Sequence, residues 1–232
     1  MKAIILAAGR GSRMECLTDE VPKCLIKMGG VTLLEKQIYA LEEAGIKDIS
    51  IVGGYKIEQL TSFNRPLYYN KNWSTTNMVY SLMQARELLE SGPCIVSYGD
   101  IFYTPDIVKK LIQASEEVAV AYDINWLSLW QKRFDNVLED AETFKKDQFN
   151  NIIELGKVPK SIEEIEGQYM GLLKFQKNFW VKYSHLLPSL SPQISMTNFL
   201  NYLIECGVPI EAVENNLPWG EVDNPMDIEV YK

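Results

Sequence analysis

Lys2-Ala3-Ile4-Ile5-Leu6-Ala7-Ala8-Gly9-Arg10-Gly11-Ser12-Arg13-Met14 is the stretch on which the fold turns. Its apolar, strand-prone opening, bounded by a glycine turn, reads as a buried strand over Lys2–Ala7. The run from Ala3 to Ala8 is too short for the core of a signal peptide. A glycine loop directly after a first strand invites two phosphate-binding patterns. The nucleoside-triphosphate loop G-x-x-x-x-G-K-[ST] fails, because Gly9 and Gly11 are too close and no lysine follows. The dinucleotide pattern needs a third glycine where Met14 stands. What remains is a loop whose backbone N–H groups approach an anion closely. Arg13 adds a two-pronged grip for phosphate oxygens, and Pro22-Lys23 adds a point charge nearby. Fixed cations of this kind suit phosphoryl or nucleotidyl transfer, where catalysis is mostly positioning and charge neutralisation.

Working outward, Thr32 opens a helix with Glu35 completing a capping box, and Gly45 stops it. Asp48–Val52 is a second strand, and Leu67–Tyr69 a short third one before an Asn/Ser/Thr-rich loop. A helix is expected from Met78 to Leu89, a strand over Cys94–Tyr98, a helix from Thr104-Pro105 and a strand over Val118–Tyr122. This alternation predicts an α/β fold with a mostly parallel sheet flanked by helices. Its ligand belongs at the carboxyl ends of the strands, in the loops Gly9–Arg13, Gly53–Lys56, Tyr98–Asp100 and Asp123–Trp126. After Asn125 the pattern changes: an amphipathic helix over Trp126–Phe134, a hairpin over Ala141–Leu155, a strand over Gln168–Phe175, two helices, a strand near Ile210–Glu214 and a last helix from Asn224-Pro225. One domain over residues 1–232 is expected, with a nucleotide-binding half (1–125) and an acceptor-binding half (126–232) that carries a substrate-covering insertion.

The 232 residues hold 23 Lys+Arg against 31 Asp+Glu, a net charge of −8. That argues against nucleic-acid and anionic-membrane partners, which require a cationic surface. Residues 1–30 run the other way, with five cations against three acids. Positive charge is thus gathered around the glycine loop. The four cysteines lack metal or disulfide spacing and are expected as reduced thiols of a cytoplasmic protein. A single histidine, His185, excludes zinc sites built on several imidazoles.

Leu6-Ala7-Ala8-Gly9-x-Gly11-Ser12-Arg13-Met14 followed by Pro22-Lys23 resembles the signature of the nucleoside-diphosphate-sugar pyrophosphorylase-like nucleotidyltransferases. The likeness continues, in the family's order, through Val52-Gly53-Gly54-Tyr55, Asn77-Met78-Val79-Tyr80-Ser81-Leu82, Tyr98-Gly99-Asp100 and Glu221-Val222-Asp223-Asn224-Pro225. The Asn77/Ser81 block is most similar to the phosphocholine and phosphonate cytidylyltransferase branch.

The resemblance implies a Rossmann-like, GT-A-like nucleotidyltransferase fold and a reaction of CTP with a small phosphate- or phosphonate-bearing acceptor, releasing pyrophosphate. It implies that Arg13 and Lys23 hold the triphosphate and balance the departing charge. It implies Mg²⁺ on Asp100 and Asp223, although Asp223 with Asn224 could instead cap the last helix. Leu6, Ala7, Ala8, Gly9, Gly11, Ser12, Gly53, Gly54, Tyr55, Asn77 and Ser81 complete the expected nucleotide site. For the acceptor, the candidates are the aromatics Trp126, Trp130, Tyr169 and Trp219 with the carboxylates Asp123 and Glu142, a set able to face an ammonium group. Trp126, Trp130 and Phe134 also recur at helical spacing, which is the pattern of a core stripe. Two rivals remain: a hexose-1-phosphate nucleotidyltransferase, and a non-catalytic nucleotide-binding module. The oligomeric state is open, a homo-oligomer included.

Overall fold

In the computed structural model, which describes residues 1–231, the strand Lys2–Ala7 (β1) runs through the interior of a seven-stranded sheet. The others are Asp48–Gly53 (β2), Leu67–Tyr69 (β3), Cys94–Tyr98 (β4), Val118–Asp123 (β5), Gln168–Phe175 (β6) and Ile210–Asn215 (β7), in the order β7-β5-β6-β4-β1-β2-β3. All adjacent pairs are parallel except those made by β6. β1 is apolar from Ala3 onward because both its faces are covered. Ala3, Ile5 and Ala7 enter one core, and Ile4 and Leu6 enter the other. The first core is closed by helices Leu33–Glu43 (α1), Pro105–Gln113 (α4) and Trp126–Arg133 (α5), the second by Met78–Met83 (α2), Arg86–Ser91 (α3), Lys177–Lys182 (α6) and Met196–Glu205 (α7). Among the described residues no helix is long and apolar enough to cross a membrane.

The Thr32–Glu35 capping box forms as expected, with the Thr32 hydroxyl accepting the Glu35 N–H at 3.1 Å. The single helix expected over Met78–Leu89 does not form. It breaks at Ala85, where φ −102 and ψ 26 leave the helical region. The bend lets Val79, Leu82, Ala85 and Leu89 all reach the same core.

Two features position the site. From β1 the chain builds β2 and β3 to one side, then crosses back to place β4 on the other. The loops after β1 and β4 therefore flank the point where strand order reverses, which is where ligands of such sheets bind. At that junction Gly99 lies so close to β1 that a Cβ would stand 2.7 Å from the Leu6 carbonyl oxygen. Second, β6 is antiparallel to β4 and β5, pairing Gln168 with Asp123 and Leu172 with Ser97. An antiparallel strand begins where its neighbours end, so Gln168–Gly171 join the ligand edge.

A short antiparallel ribbon completes the arrangement. Ile101–Tyr103 pairs with Trp219–Glu221, and the Val222 N–H donates to the Asp100 carbonyl at 3.0 Å. The last helix, Pro225–Val230 (α8), is capped by Asn224 in a box with Asp227. Capping thus falls to Asn224, and the Asp223 side chain is left to turn inward.

Candidate active site

The loop after β1 is shaped by Gly11, whose φ of +72 is left-handed and whose missing side chain leaves room for Lys23: a Cβ there would stand 2.7 Å from the lysine chain. Lys23 is only 9% exposed. Its Nζ donates to Asp100 Oδ2 at 2.7 Å and to Asp223 Oδ1 at 2.6 Å. Arg13, largely exposed, donates from Nη2 to the same Asp223 oxygen at 2.9 Å. Burial opposes the ammonium charge, but the two aspartates together hold the Lys23 pKa above its ordinary value. Burial likewise works against the Asp223 carboxylate, and Lys23 and Arg13 outweigh it, keeping its pKa below the usual range.

Sequence reasoning missed the third carboxylate. Single oxygens of Asp100, Glu221 and Asp223 lie within 4.8 Å of one another. Burial, then the charges of Asp223 and Asp100, push the Glu221 pKa well up. Among the described residues, Asp100 Oδ1 is buried without a hydrogen-bond partner. Lys23 bonds two of the three acids and still leaves this oxygen of Asp100 unmet, a position open to a further cation. An all-carboxylate oxygen donor set beside Arg13 and Lys23 suits Mg²⁺, and these residues fit such an ion.

Also unforeseen was Arg133, whose side chain is wholly buried. It makes a two-pronged contact with Asp227, Nε to Oδ1 at 2.9 Å and Nη2 to Oδ2 at 3.2 Å. Asp227 Oδ2 in turn accepts the Asp223 backbone N–H at 2.7 Å. Arg133 further approaches Glu221 at 3.5 Å and Asp223 at 3.6 Å. It braces the segment that carries both acids. Arg133→Met strands Asp227 and is expected to cost about 3–5 kcal/mol of stability, measured by urea denaturation. A loss within 0.5 kcal/mol, about the scale of a surface substitution, would contradict this role.

Two adjoining cavities open here. The first, about 280 Å³, is walled by the glycine loop and by Trp73, Thr76, Asn77, Ser81 and Asp100. The second, about 330 Å³, shares Arg13, Asn77, Met78 and Tyr98 with it and adds Trp130, Asp140, Glu142, Tyr169, Glu221 and Asp223. Burial pushes the carboxyl pKa values of Asp140 and Glu142 up, the latter helped by the charge of Asp140.

Residues 3–148 match the model of the MobA-like NTP transferase domain. A CTP:phosphoglutamine cytidylyltransferase of Campylobacter jejuni is 40% identical across 99% of this chain and 98% of its own length. The chain belongs to this nucleotidyltransferase family. A choline-phosphate cytidylyltransferase of Streptococcus pneumoniae is 41% identical over a shorter region, 44% of this chain and 46% of its own. Among solved structures, the inositol-1-phosphate CTP transferase from T. maritima superimposes with a TM-score of 0.80 over 99% of this chain and 94% of that one. At 22% identity that likeness speaks for the fold.

The nucleotidyltransferase gathers most of the expected nucleotide residues on one wall: Leu6, Ala7, Ala8, Gly9, Gly11, Ser12, Arg13, Lys23, Asn77 and Ser81 all line the first cavity. Gly53, Gly54 and Tyr55 do not line either cavity; they stand behind the wall. The Tyr55 N–H donates to the Ala8 carbonyl at 2.9 Å, and Gly54 leaves the space into which Trp73 packs. The acceptor set divides. Trp130, Glu142 and Tyr169 line the second cavity. Asp123 does not: its Oδ2 accepts the Trp219 indole N–H at 2.8 Å and its Oδ1 the Asn125 N–H at 2.8 Å, so both oxygens are satisfied inside the fold. Trp219 and Trp126 lie in the core against Trp130 instead of lining the cavity, which the helical spacing foreshadowed for Trp126 but not for Trp219. Asp140 takes over as an acidic lining residue, held by the Trp130 indole N–H at 3.1 Å.

Proposed function

We propose that the enzyme transfers CMP from CTP to a small acceptor that bears a phosphate or phosphonate and a positive charge, releasing pyrophosphate. The observation that carries this reading is the joining of two unlike cavities at one cluster. The first meets Arg13 and Lys23. The second is walled by Asp140, Glu142, Glu221 and Asp223 with Arg13 as its cation. Such a wall favours an acceptor whose far end is an ammonium group and disfavours a neutral sugar. The C. jejuni and S. pneumoniae relatives, named for phosphoglutamine and choline phosphate, support the same class.

In this scheme an acceptor oxygen attacks the α-phosphorus in line. The new P–O bond forms as the bond to the β-phosphate breaks, and its electron pair leaves on pyrophosphate. Lys23, released from its two aspartates by the incoming triphosphate, balances the charge on non-bridging and departing oxygens. Arg13, at the seam of the two cavities, is placed to steady the acceptor's phosphate against the nucleotide. Asp100, Glu221 and Asp223 would hold Mg²⁺, which when bound neutralises phosphate charge and orients the oxygens. No protein nucleophile is required.

The test is pyrophosphate release with each of the four common NTPs across a panel of acceptors. Choline phosphate, 2-aminoethylphosphonate, phosphorylated glutamine and hexose 1-phosphates belong in the panel. Turnover is expected with CTP and an amine- or amide-bearing acceptor. Preference for hexose 1-phosphates would shift the reading to sugar activation, and nucleotide binding without turnover on any acceptor would make this a binding module.

A further inference from the structure

Asn70, directly after β3, lines neither cavity itself and is fully buried. Its backbone N–H donates to the Gly53 carbonyl at 2.9 Å, tying it to β2. Its side-chain oxygen accepts the Asn72 backbone N–H at 2.9 Å. A backbone N–H can only donate, so the amide is oriented unambiguously and its nitrogen must face the other way. There Nδ2 donates to two hydroxyls, Thr76 Oγ1 at 3.0 Å and Ser81 Oγ at 2.9 Å. Both hydroxyl-bearing residues line the first cavity.

Each hydroxyl owns one hydrogen and two lone pairs. Thr76 gives its hydrogen to the Asn72 carbonyl at 2.8 Å, and Ser81 gives its own to the Asn77 carbonyl at 3.3 Å. One lone pair on each is already met by Asn70. What the two side chains still offer is acceptor capacity alone. The Asn70 amide also anchors the rotamer that brings each hydroxyl hydrogen to its carbonyl; without it, either side chain could swing away from that carbonyl and donate into the cavity.

We infer that Asn70 is the positioning residue for base choice: by donating to Thr76 and Ser81 it presents both as acceptors, matched to the 4-amino group of cytosine and mismatched to the 4-carbonyl of uracil. This rests on the assignment of CTP as the nucleotide. Uracil would bring an acceptor against acceptors, and a mismatch of that kind in a sheltered site is worth about tenfold or more in affinity.

Isothermal titration calorimetry of the full chain with CTP and with UTP in Mg²⁺ tests this without knowledge of the acceptor. The wild-type protein is expected to bind CTP at least about tenfold more tightly. In Asn70→Leu the ratio should collapse toward one, chiefly through a gain for UTP, which a merely structural role would not produce. Should Asn70→Leu fail to fold, as judged by circular dichroism, the double variant Thr76→Val, Ser81→Ala carries the test. It should lose about tenfold for CTP and little for UTP. A wild-type preference for CTP that survives in the folded variants overturns the role of Asn70 and leaves the nucleotide assignment standing. Equal wild-type binding of both nucleotides overturns both. Parallel losses for CTP and UTP in the double variant, absent with 3′-deoxy-CTP, would assign the hydroxyls to the ribose and overturn the inference.

Discussion

Lys23→Ala lowers turnover by about 10³-fold while the sheet remains folded; this is among the largest effects expected. Lys23 is a buried cation lining the first cavity, its ammonium 2.7 Å from Asp100 and 2.6 Å from Asp223. Arginine 13 cannot replace it, being largely exposed and engaged with Asp223 alone among the three acids. The substitution removes the group proposed to balance departing pyrophosphate, and it also takes the shared lysine away from Asp100 and Asp223. Two readouts should therefore move together. Pyrophosphate release falls, and the melting temperature in metal-free buffer drops but recovers on adding Mg²⁺, which supplies the missing charge. Near-normal turnover would remove Lys23 from the chemistry, and a melting temperature indifferent to Mg²⁺ would count against the shared cluster.

Asp100→Ala is the second. Asp100 brings to the cluster an oxygen that no group among the described residues satisfies, and its carboxylate sits where the sheet reverses. Its loss is expected to cost about 10²–10³-fold in turnover and to weaken Mg²⁺ binding measured directly by calorimetry. Because Lys23 keeps its bond to Asp223, the effect on folding should be smaller than for Lys23→Ala. Unchanged rate and unchanged metal affinity would together refute the assignment of Asp100.

Much of the fold was legible because its signals are local. The apolar run of β1, the Thr32–Glu35 box, the Pro105 helix start and the hairpin between Phe144 and Leu155 each lie within a few residues, and each formed. What escaped depends on partners far apart in sequence. The ribbon of Ile101–Tyr103 with Trp219–Glu221 has three residues per strand and no periodicity to detect. Without it, Glu221 looked like a bystander two residues before Asp223. The antiparallel insertion of β6 was equally hidden, since a buried strand reads the same in either direction.

The site shows the same division. Glycines and cations after β1 announce themselves by type and position. Arg133 and Asn70 do not: one read as the polar end of an amphipathic helix, the other as part of a solvated Asn/Thr-rich loop. Their significance comes from burial, which composition does not reveal. The tryptophans misled in the opposite sense, because chemistry that suits an ammonium ion also suits a core. The spacing of Trp126 and Trp130 pointed to the core, where both are buried, and only the second also reaches the cavity.

The ribbon between residues 101–103 and 219–221 also bears on when the enzyme acquires its activity. Lys23 and Asp100 are made well before Glu221, Asp223 and the Asp227 that braces them, which lie more than a hundred residues further along the chain. A nascent chain can bury β1 and β4 and still hold a lysine facing one aspartate, with no carboxylate cluster to complete it. The centre is completed only once the 219–227 segment has been made and the ribbon has paired.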